Sequence, residues 1–584
     1  MLRRPIPRTI LLAGTCLLAV APFLRWGIPS GHDFEFHVFS WMEVLGQWKH
    51  GIIFPRWAAL AHFGYGEARF LFYPPASWTL GAALGALLPW AIVPAAYCWI
   101  ALTFAAASMY RLARQWLAPA DAFFAAVLYA LNPYHLLIIY WRSAYAELLA
   151  AALLPLLLLC LLRIFAEQTV VTPAAKSDSS LHPTLWLTLV LAAAWLTNAP
   201  AAVMIEYSTA GFALLFSIIF LTQQTSSRDQ SLRQRISSPQ LWRPLLHTAL
   251  AVFLAAGLAS FYLFPAIYEQ RWVNIAQVMS PGVRPQDNFI FTTTFDHDHN
   301  VFNRLVSSLA SAEIIVLGFA IWFSQKQKTL RAKNTAHQIP WLPIAAWGAA
   351  SAVLMFSATN FLWQHLPKFR FVQLPFRWLL CMNAALALLI TMAARRWTSR
   401  ALTYVLLLAA LAYAGYCIQL PWWDEADDLH DMQSALASGA GYEGTDEYVP
   451  VGADAYELDK NLPVISDDSG LPVPNKILSW SSTEREVTVH ADAAEDITVR
   501  LFNYPAWEVS VNGEPVSTDR TDITGLMIIS LAAGDNDIRI HFRQTRDRLL
   551  GDIVSFISLI VLVAAWIMAR RSRKQSTSTS RTAA

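Results

Sequence analysis

Long apolar runs recur along almost the entire chain, separated by short polar stretches. They fall near residues 10–26, 92–112, 119–139, 144–164, 184–200, 201–222, 246–265, 305–323, 341–357, 374–394, 401–419 and 550–570. A helix of about 20 apolar residues satisfies its own backbone groups and reaches across a bilayer. The pattern therefore predicts a mainly α, polytopic membrane protein with about 12 transmembrane helices. The run from Pro75 to Pro89 is short and bounded by prolines. It reads as an interfacial or re-entrant helix, since counting it as a span would invert every loop that follows.

Between residues 484 and 545 the apolar period drops to two. Glu486-Val487-Thr488-Val489-His490, Ile497-Thr498-Val499-Arg500-Leu501, Trp507-Glu508-Val509-Ser510-Val511 and Ile538-Arg539-Ile540-His541-Phe542 read as strands. Asn512-Gly513 is a hairpin signal. Four parts follow. Residues 1–419 form the transmembrane domain, with a long first outer loop at 29–90. Residues 420–479 are an extracytoplasmic linker segment, and 480–548 a small β-sandwich. Residues 549–584 hold a final transmembrane helix and a tail. The alternating strands predict that 480–545 folds without the membrane part. The Ser/Thr-rich stretch after Lys574 reads as disordered.

Charge gives these spans a direction. Basic residues fill every alternate loop: Arg3, Arg4 and Arg8; Arg111 and Arg114; Arg163 and Lys176; Arg228, Arg233, Arg235 and Arg243; Lys326, Lys328, Arg331 and Lys333; Arg395, Arg396 and Arg400; Arg570, Arg571, Arg573 and Lys574. The positive-inside rule makes these loops and both termini cytoplasmic. It leaves 29–90 and 420–548 outside an inner (plasma) membrane. Charged residues are 14% of the chain, against roughly 25% for a soluble domain, which agrees with a bilayer setting. The net charge of +2 gives no footprint for nucleic acid. Cys16, Cys98, Cys160, Cys381 and Cys417 lie in apolar runs without CxxC spacing, so no disulfide framework or structural zinc site is predicted.

Candidate chemistry concentrates beyond the first span, in Gly31-His32-Asp33-Phe34-Glu35-Phe36-His37. Carboxylates at a membrane face must be solvated, paired or used. In an extended segment Asp33, Glu35 and His37 share one face. In a helix Asp33 and His37 are neighbours and Glu35 points away. The outer cations are Arg56, Arg142, Arg271, Lys368, Arg370 and Arg377. Arg377 closes Gln373-Leu374-Pro375-Phe376-Arg377, where proline suits a first helical turn; it also reads as a snorkelling arginine. Arg142 and Glu147 flank the start of a span and can simply pair, as can Glu269 and Arg271. Tyr65, Phe72 and Tyr73 belong to an aromatic belt or to a ligand wall. Asp296-His297-Asp298-His299 offers two alternate histidines with no third metal ligand identifiable.

The order of one span, an outer acidic motif, Gly64-Tyr65-Gly66 and Phe72-Tyr73-Pro74-Pro75 resembles the GT-C superfamily of polytopic glycosyltransferases. More narrowly, Asn198-Ala199-Pro200, Phe264-Pro265-Ala266, Gln373-Leu374-Pro375-Phe376-Arg377 and Gly444-Thr445-Asp446-Glu447-Tyr448-Val449-Pro450 resemble bacterial membrane proteins catalogued as 6-pyruvoyl-tetrahydropterin synthase-related. Tyr504-Pro505-Ala506-Trp507 resembles the C-terminal region of YfhO-like membrane proteins. No catalytic motif of the soluble pterin synthases is present. The resemblance implies a GT-C-like fold and transfer of a sugar from a polyprenyl-phosphate-linked donor to an envelope glycan or protein acceptor on the extracytoplasmic face. It implies Asp33 as the base, with Glu35 and His37 beside it, because the acceptor hydroxyl must lose a proton. It implies Arg377, Arg271, Arg142 and Arg370 as binders of the donor phosphate, whose developing charge needs fixed cations. Tyr65, Tyr73 and Glu269 would line the substrate. No cofactor is assigned. Asp33-x-Glu35 departs from Asp-x-Asp, which leaves a divalent metal open. Two other functions also stay open: a lipid or polysaccharide transporter or flippase, against which the outer placement of the acids weighs, and a non-catalytic envelope assembly factor.

Overall fold

The computed structural model describes residues 8–166, 181–223, 232–331, 340–417 and 426–582. Arg3, Arg4, Lys176, Arg228 and Lys333, used above for orientation, lie outside them. Among the described residues, 10 helices are long and apolar enough to cross a membrane: Arg8–Trp26, Val93–Ala113, Pro119–Arg142, Tyr145–Phe165, Ala199–Thr222, Arg233–Leu258, His297–Lys326, Pro375–Ala393, Trp397–Tyr416 and Arg546–Arg571. The chain is a multi-pass membrane protein, mainly helical, with a C-terminal β region. Pro119–Arg142 and Pro375–Ala393 are buried along most of their length and form the centre of the bundle. Trp397–Tyr416 and Arg546–Arg571 leave most of their apolar surface outward, as a lipid solvent requires.

Two predicted spans differ in form. The run near 184–200 is a shorter helix, His182–Thr197. The run near 341–357 becomes Trp341–Val353, bent by 95° against Ser357–His365. The bend frees the Leu354 carbonyl, which accepts hydrogen bonds from Thr359 Oγ1 and Trp363 Nε1, both at 3.3 Å. The span read as 246–265 starts earlier. Ser238 caps the helix Pro239–Leu258 by accepting from the Gln240 N–H (3.3 Å), and Pro239 occupies the first turn. Pro75–Gly85 has 11 residues and is too short to cross. The last helix, Arg546–Thr582, runs on through the stretch read as a disordered tail, propagating from its apolar segment.

The β region is two antiparallel sheets. One orders its strands as Ile465–Ser466, Glu495–Phe502, Leu526–Leu531 and Asp519–Arg520. The other runs Asn475–Trp480, Glu484–Ala491, Gly534–Phe542, Trp507–Val511 and Glu514–Val516. Asn512 and Gly513 both take positive φ (53° and 85°), which is the tight turn their sequence signals. Asn475–Trp480 escapes an alternation search because it is an edge strand exposed along nearly its whole length.

The core of these sheets is not their own. Trp57, Tyr65, Ala68 and Leu71 from the first loop, and Val273 from a later one, are buried in the same apolar cluster as Val487, Phe502, Tyr504 and Ile540. Trp57 packs on Tyr504, Trp507 and Phe542 at centroid distances of 5.5–5.7 Å. Arg548, at the start of the last span, bonds the buried Glu269 through Nε (2.7 Å) and Nη2 (2.8 Å), and Tyr504 donates to the same carboxylate at 2.6 Å. The segment expected to fold alone therefore shares its interior with two loops of the membrane part.

Candidate functional site

A cavity of about 1000 Å³ lies where the first loop, the spans and the 444–448 loop meet. One wall is apolar: Val203, Val252, Ala256 and Leu263 come from the helices Ala199–Gln223, Pro239–Leu258 and Ser260–Tyr268. The cavity's polar lining includes Asp33, Arg142, Glu147, Lys368, Gln373, Arg377 and Glu447.

Asp33 is placed by a close clasp of two backbones. Its N–H donates to the Arg142 carbonyl (2.9 Å), and the Gly31 N–H donates to Ser143 Oγ (2.9 Å). A Cβ on Gly31 would lie 2.6 Å from the backbone at 141–143, so only glycine permits this approach. Opposite, Ile138–Arg142 is a π turn that ends on Ser143 in the left-handed conformation (φ 48°). Such turns locally unwind a span and mark functional sites. The break sets Arg142 Nη2 3.8 Å from Asp33 Oδ2, with the Asp33 side chain 42% exposed to the cavity.

Arg142 and Arg377 share one buried carboxylate. Glu147 Oε2 accepts from Arg142 Nη1 at 2.6 Å and from Arg377 Nε at 3.0 Å, and Tyr134 donates to Oε1 at 2.6 Å. Glu147 is 1% exposed, and with Asp33 3.8 Å from Arg142 the two arginines face two carboxylates at the cavity. Arg377 Nη1 donates to the Val372 carbonyl (2.7 Å) and to Gln373 Oε1 (3.1 Å). Gln373 is itself strained. It sits at φ 61°, ψ −62°, closing a γ-turn in which the Leu374 N–H donates to the Val372 carbonyl (2.7 Å). This hand of γ-turn is rare outside glycine and costs energy. The Gln373 Nε2 donates to the Val278 carbonyl (3.0 Å), joining Arg377 to another cavity loop.

The segment Phe34–Lys49 is a helix, so Asp33 precedes it and His37 follows one turn later. His37 is buried against Tyr73 and Tyr145. Burial outweighs the pull of Asp33 and pushes its imidazole down to about 4, which keeps it neutral. Burial also lifts the Tyr73 phenol well above its ordinary value, with Asp33 adding to the shift. Nearby, Glu67 forms a closed cluster. It pairs with Arg69, lies 3.0 Å from His62 Nε2, and accepts from the Thr445 N–H at 2.8 Å. Burial alone would raise its carboxyl, but Arg69 and His62 hold it down to about 2.

The sequence-predicted residues divide sharply. Asp33, His37, Arg142, Arg377 and Tyr73 all line the cavity. Glu35 does not: it is exposed on the other side of its helix, where burial and then Glu443 and Asp428 raise its carboxyl. Arg271 is exposed and lies over Tyr268 (3.8 Å to the ring centroid) and Trp272, and Arg370 is exposed beside Phe371. Tyr65 is buried under the β region and donates to the Asp459 carbonyl (2.6 Å). Glu269 pairs with Arg548, not Arg271. Lys368, one of several outer cations in the sequence, lines the cavity, as do Gln373 and Glu447 from the 373–377 and 444–450 motifs, where no sequence signal marks them for a role. Glu206 also lines the cavity, two turns inside a span, within 3.4 Å of Trp195 Nε1. Glu313 lies in another span, bonded by Asn383 (2.7 Å), so acids are not confined to the outer loops. Among the described residues no three His, Cys, Asp or Glu side chains are grouped to hold a metal ion.

The sequence matches no protein-family model and no curated protein. Among solved structures, the fold is similar to the arabinofuranosyltransferase AftD from Mycobacteria, with 14% identity over 70% of this chain and 27% of that one, at a TM-score of 0.41. It is similar to the apo oligosaccharyltransferase of Archaeoglobus fulgidus, with 13% identity over 76% of this chain and 61% of that one, at a TM-score of 0.43. It is also similar to ArnT from Cupriavidus metallidurans bound to undecaprenyl phosphate, with 12% identity over 68% of this chain and 63% of that one, at a TM-score of 0.38. The chain thus spans 27% to 63% of the length of these proteins. Likenesses of this degree concern general arrangement alone.

Proposed function

We propose that the chain is an integral-membrane glycosyltransferase of GT-C type, moving a sugar from a polyprenyl-phosphate-linked donor to an envelope acceptor. The observation that carries this reading is a single cavity with two chemistries. Its apolar wall of spanning helices suits an isoprenoid, and its polar lining includes Arg142, Arg377 and Lys368 together with the carboxylate of Asp33, which lies beside Arg142. The alternating basic loops support placing this lining at the extracytoplasmic face, with both termini cytoplasmic. The narrower likeness to the 6-pyruvoyl-tetrahydropterin synthase-related and YfhO-like proteins rests on sequence motifs and names no reaction.

In this mechanism the acceptor hydroxyl oxygen attacks the anomeric carbon and forms the new glycosidic bond. The bond from that carbon to the phosphate oxygen breaks, and its electron pair leaves with the polyprenyl phosphate. Asp33 takes the acceptor's proton. Arg377 and Lys368 bind the phosphate as its charge grows. Glu147, fixed by Tyr134, holds both arginines in place without competing for the ligand. Neutral His37 packs behind Asp33 and adds no charge to weaken the base.

Sugar release from undecaprenyl-phosphate-linked sugars in proteoliposomes tests the reading. Asp33→Asn keeps size and removes the base, and should slow transfer by about 10²-fold or more. Unchanged turnover would remove Asp33 from the mechanism. A second reading, a transporter or flippase, is favoured by Glu206, a carboxylate inside a span that faces the same cavity. Lipid movement that stops with a protonophore or with Glu206→Gln, without any sugar transfer, would favour it.

A further inference from the structure

Glu447 is a carboxylate with a built setting whose bond within the protein is to its own backbone N–H. It lines the cavity with Thr445 and Tyr448. Glu147 is saturated by Tyr134 and two arginines, Asp33 lies beside Arg142, and Glu206 has Trp195. Among the described residues no other side chain bonds to Glu447. Burial pushes its half-buried carboxyl up to about 7; the bond from its own N–H works against the shift, and Glu67 adds to it.

The loop that carries it is held from several directions. The Thr445 N–H donates to Glu67 (2.8 Å), which Arg69 and His62 fix in turn. A Cβ on Gly444 would lie 2.1 Å from His62 Nε2, so the loop rests directly on that ring. Asp446 accepts from the Tyr456 hydroxyl (2.9 Å). The Tyr448 ring stacks on Phe72 at 5.7 Å and 6°. A carboxylate on a loop this firmly held, with no other side chain bonded to it, is preorganised for a ligand.

We propose that Glu447 binds hydroxyl groups of the transferred sugar, making the 444–448 loop the sugar-recognition wall of the cavity. This rests on the glycosyltransferase reading. A carboxylate accepts from two hydroxyls at once, and Tyr448 and Tyr73 supply aromatic surface beside it. A hydroxyl can donate to an ionised carboxylate and accept from a protonated one, so the site works on either side of neutral pH. An ammonium ligand would need the ionised form alone.

The test uses the full chain in lipid nanodiscs and two kinds of probe: undecaprenyl phosphate, and a panel of undecaprenyl-phosphate-linked hexoses. The wild type should bind at least one glycosylated lipid about tenfold more tightly than undecaprenyl phosphate, the size of a hydrogen bond to a charged group. Glu447→Ala should erase that preference and keep affinity for undecaprenyl phosphate within about twofold. Glu447→Gln, which keeps an acceptor oxygen, should keep part of it. A preference that survives Glu447→Ala, or an equal loss for both lipids, overturns the proposal. So does a wild type that binds undecaprenyl phosphate no better with any hexose attached, although the donor-lipid reading then stands. A wild type that binds neither lipid removes the glycosyltransferase reading and this proposal together.

Discussion

Two carboxylates, Glu67 and Glu147, lie in the same part of the molecule, each buried and each bonded to arginine. Their surroundings differ. Glu67 is sealed: Arg69, His62 and Thr445 take its oxygens, and Arg69 in turn reaches Ser40 Oγ (3.1 Å). That cluster ties the helix Phe34–Lys49 to the 444–448 loop, with Glu67 and Arg69 both fully buried. Glu147 is saturated as well, but its two arginines line the cavity beside Asp33. The same pairing chemistry thus serves as a rivet in one place and as a mount for cavity-lining arginines in the other. What separates them is whether the paired arginine lines the cavity.

The largest effect should come from removing the rivet. Glu67→Ala leaves Arg69 buried and unpaired, and should cost about 3–5 kcal/mol of stability, read from thermal or denaturant unfolding of the purified protein. A variant as stable as the wild type would show that the cluster holds nothing. Asp33→Asn sharpens the contrast from the other side. Its loss of about 10²-fold in transfer should come with an unchanged melting temperature, because its side chain faces the cavity.

Gln373→Gly should give a smaller and mixed result. Glycine tolerates the positive φ and relieves strain of about 1–3 kcal/mol. The change also removes two side-chain hydrogen bonds that seat Arg377 and the Val278 loop. Stability should therefore stay level or rise, while donor-lipid affinity falls about tenfold in a binding titration. A fall in both would mark Gln373 as structural. The remaining effect is a pH slope that is slight near neutral pH. His37 stays neutral when folded, with its value lowered from 6.5 to about 4, while the unfolded chain takes up a proton below 6.5. Protons then favour the unfolded chain, so stability is full above pH 6.5 and drains as pH falls towards 4. His37→Gln should flatten that part of the melting curve; an unaltered slope would place its origin elsewhere.

Much of the membrane part is legible in the sequence, because a span must be an apolar run of fixed length. The break between Val353 and Ser357 is not, since the bonds that stabilise it come from side chains folding back on Leu354. In the site, Asp33 and His37 are readable through helical spacing, and Arg142 with Glu147 through their closeness in the chain. Arg377 announces itself by the proline that opens its helix. Glu269 looks like a partner for Arg271 by the same logic, yet its carboxylate is taken by Arg548, 279 residues along. Glu447 reaches the cavity from beyond ten other apolar runs. Its motif was visible, but nothing local tells that its loop folds back beneath the first one. Tyr65 fails as a cavity residue for a related reason: the β region, docked by long-range contacts, covers it.

The central claim is that one cavity holds a lipid phosphate at its cationic residues. A cryo-electron microscopy structure of the full chain in nanodiscs, saturated with undecaprenyl phosphate, tests it most directly. The account predicts phosphate density about 3 Å from the Arg377 guanidinium or the Lys368 ammonium, with the isoprenoid running along Val203, Val252, Ala256 and Leu263. A phosphate bound elsewhere on the protein, or a cavity left empty at saturating lipid, would contradict it.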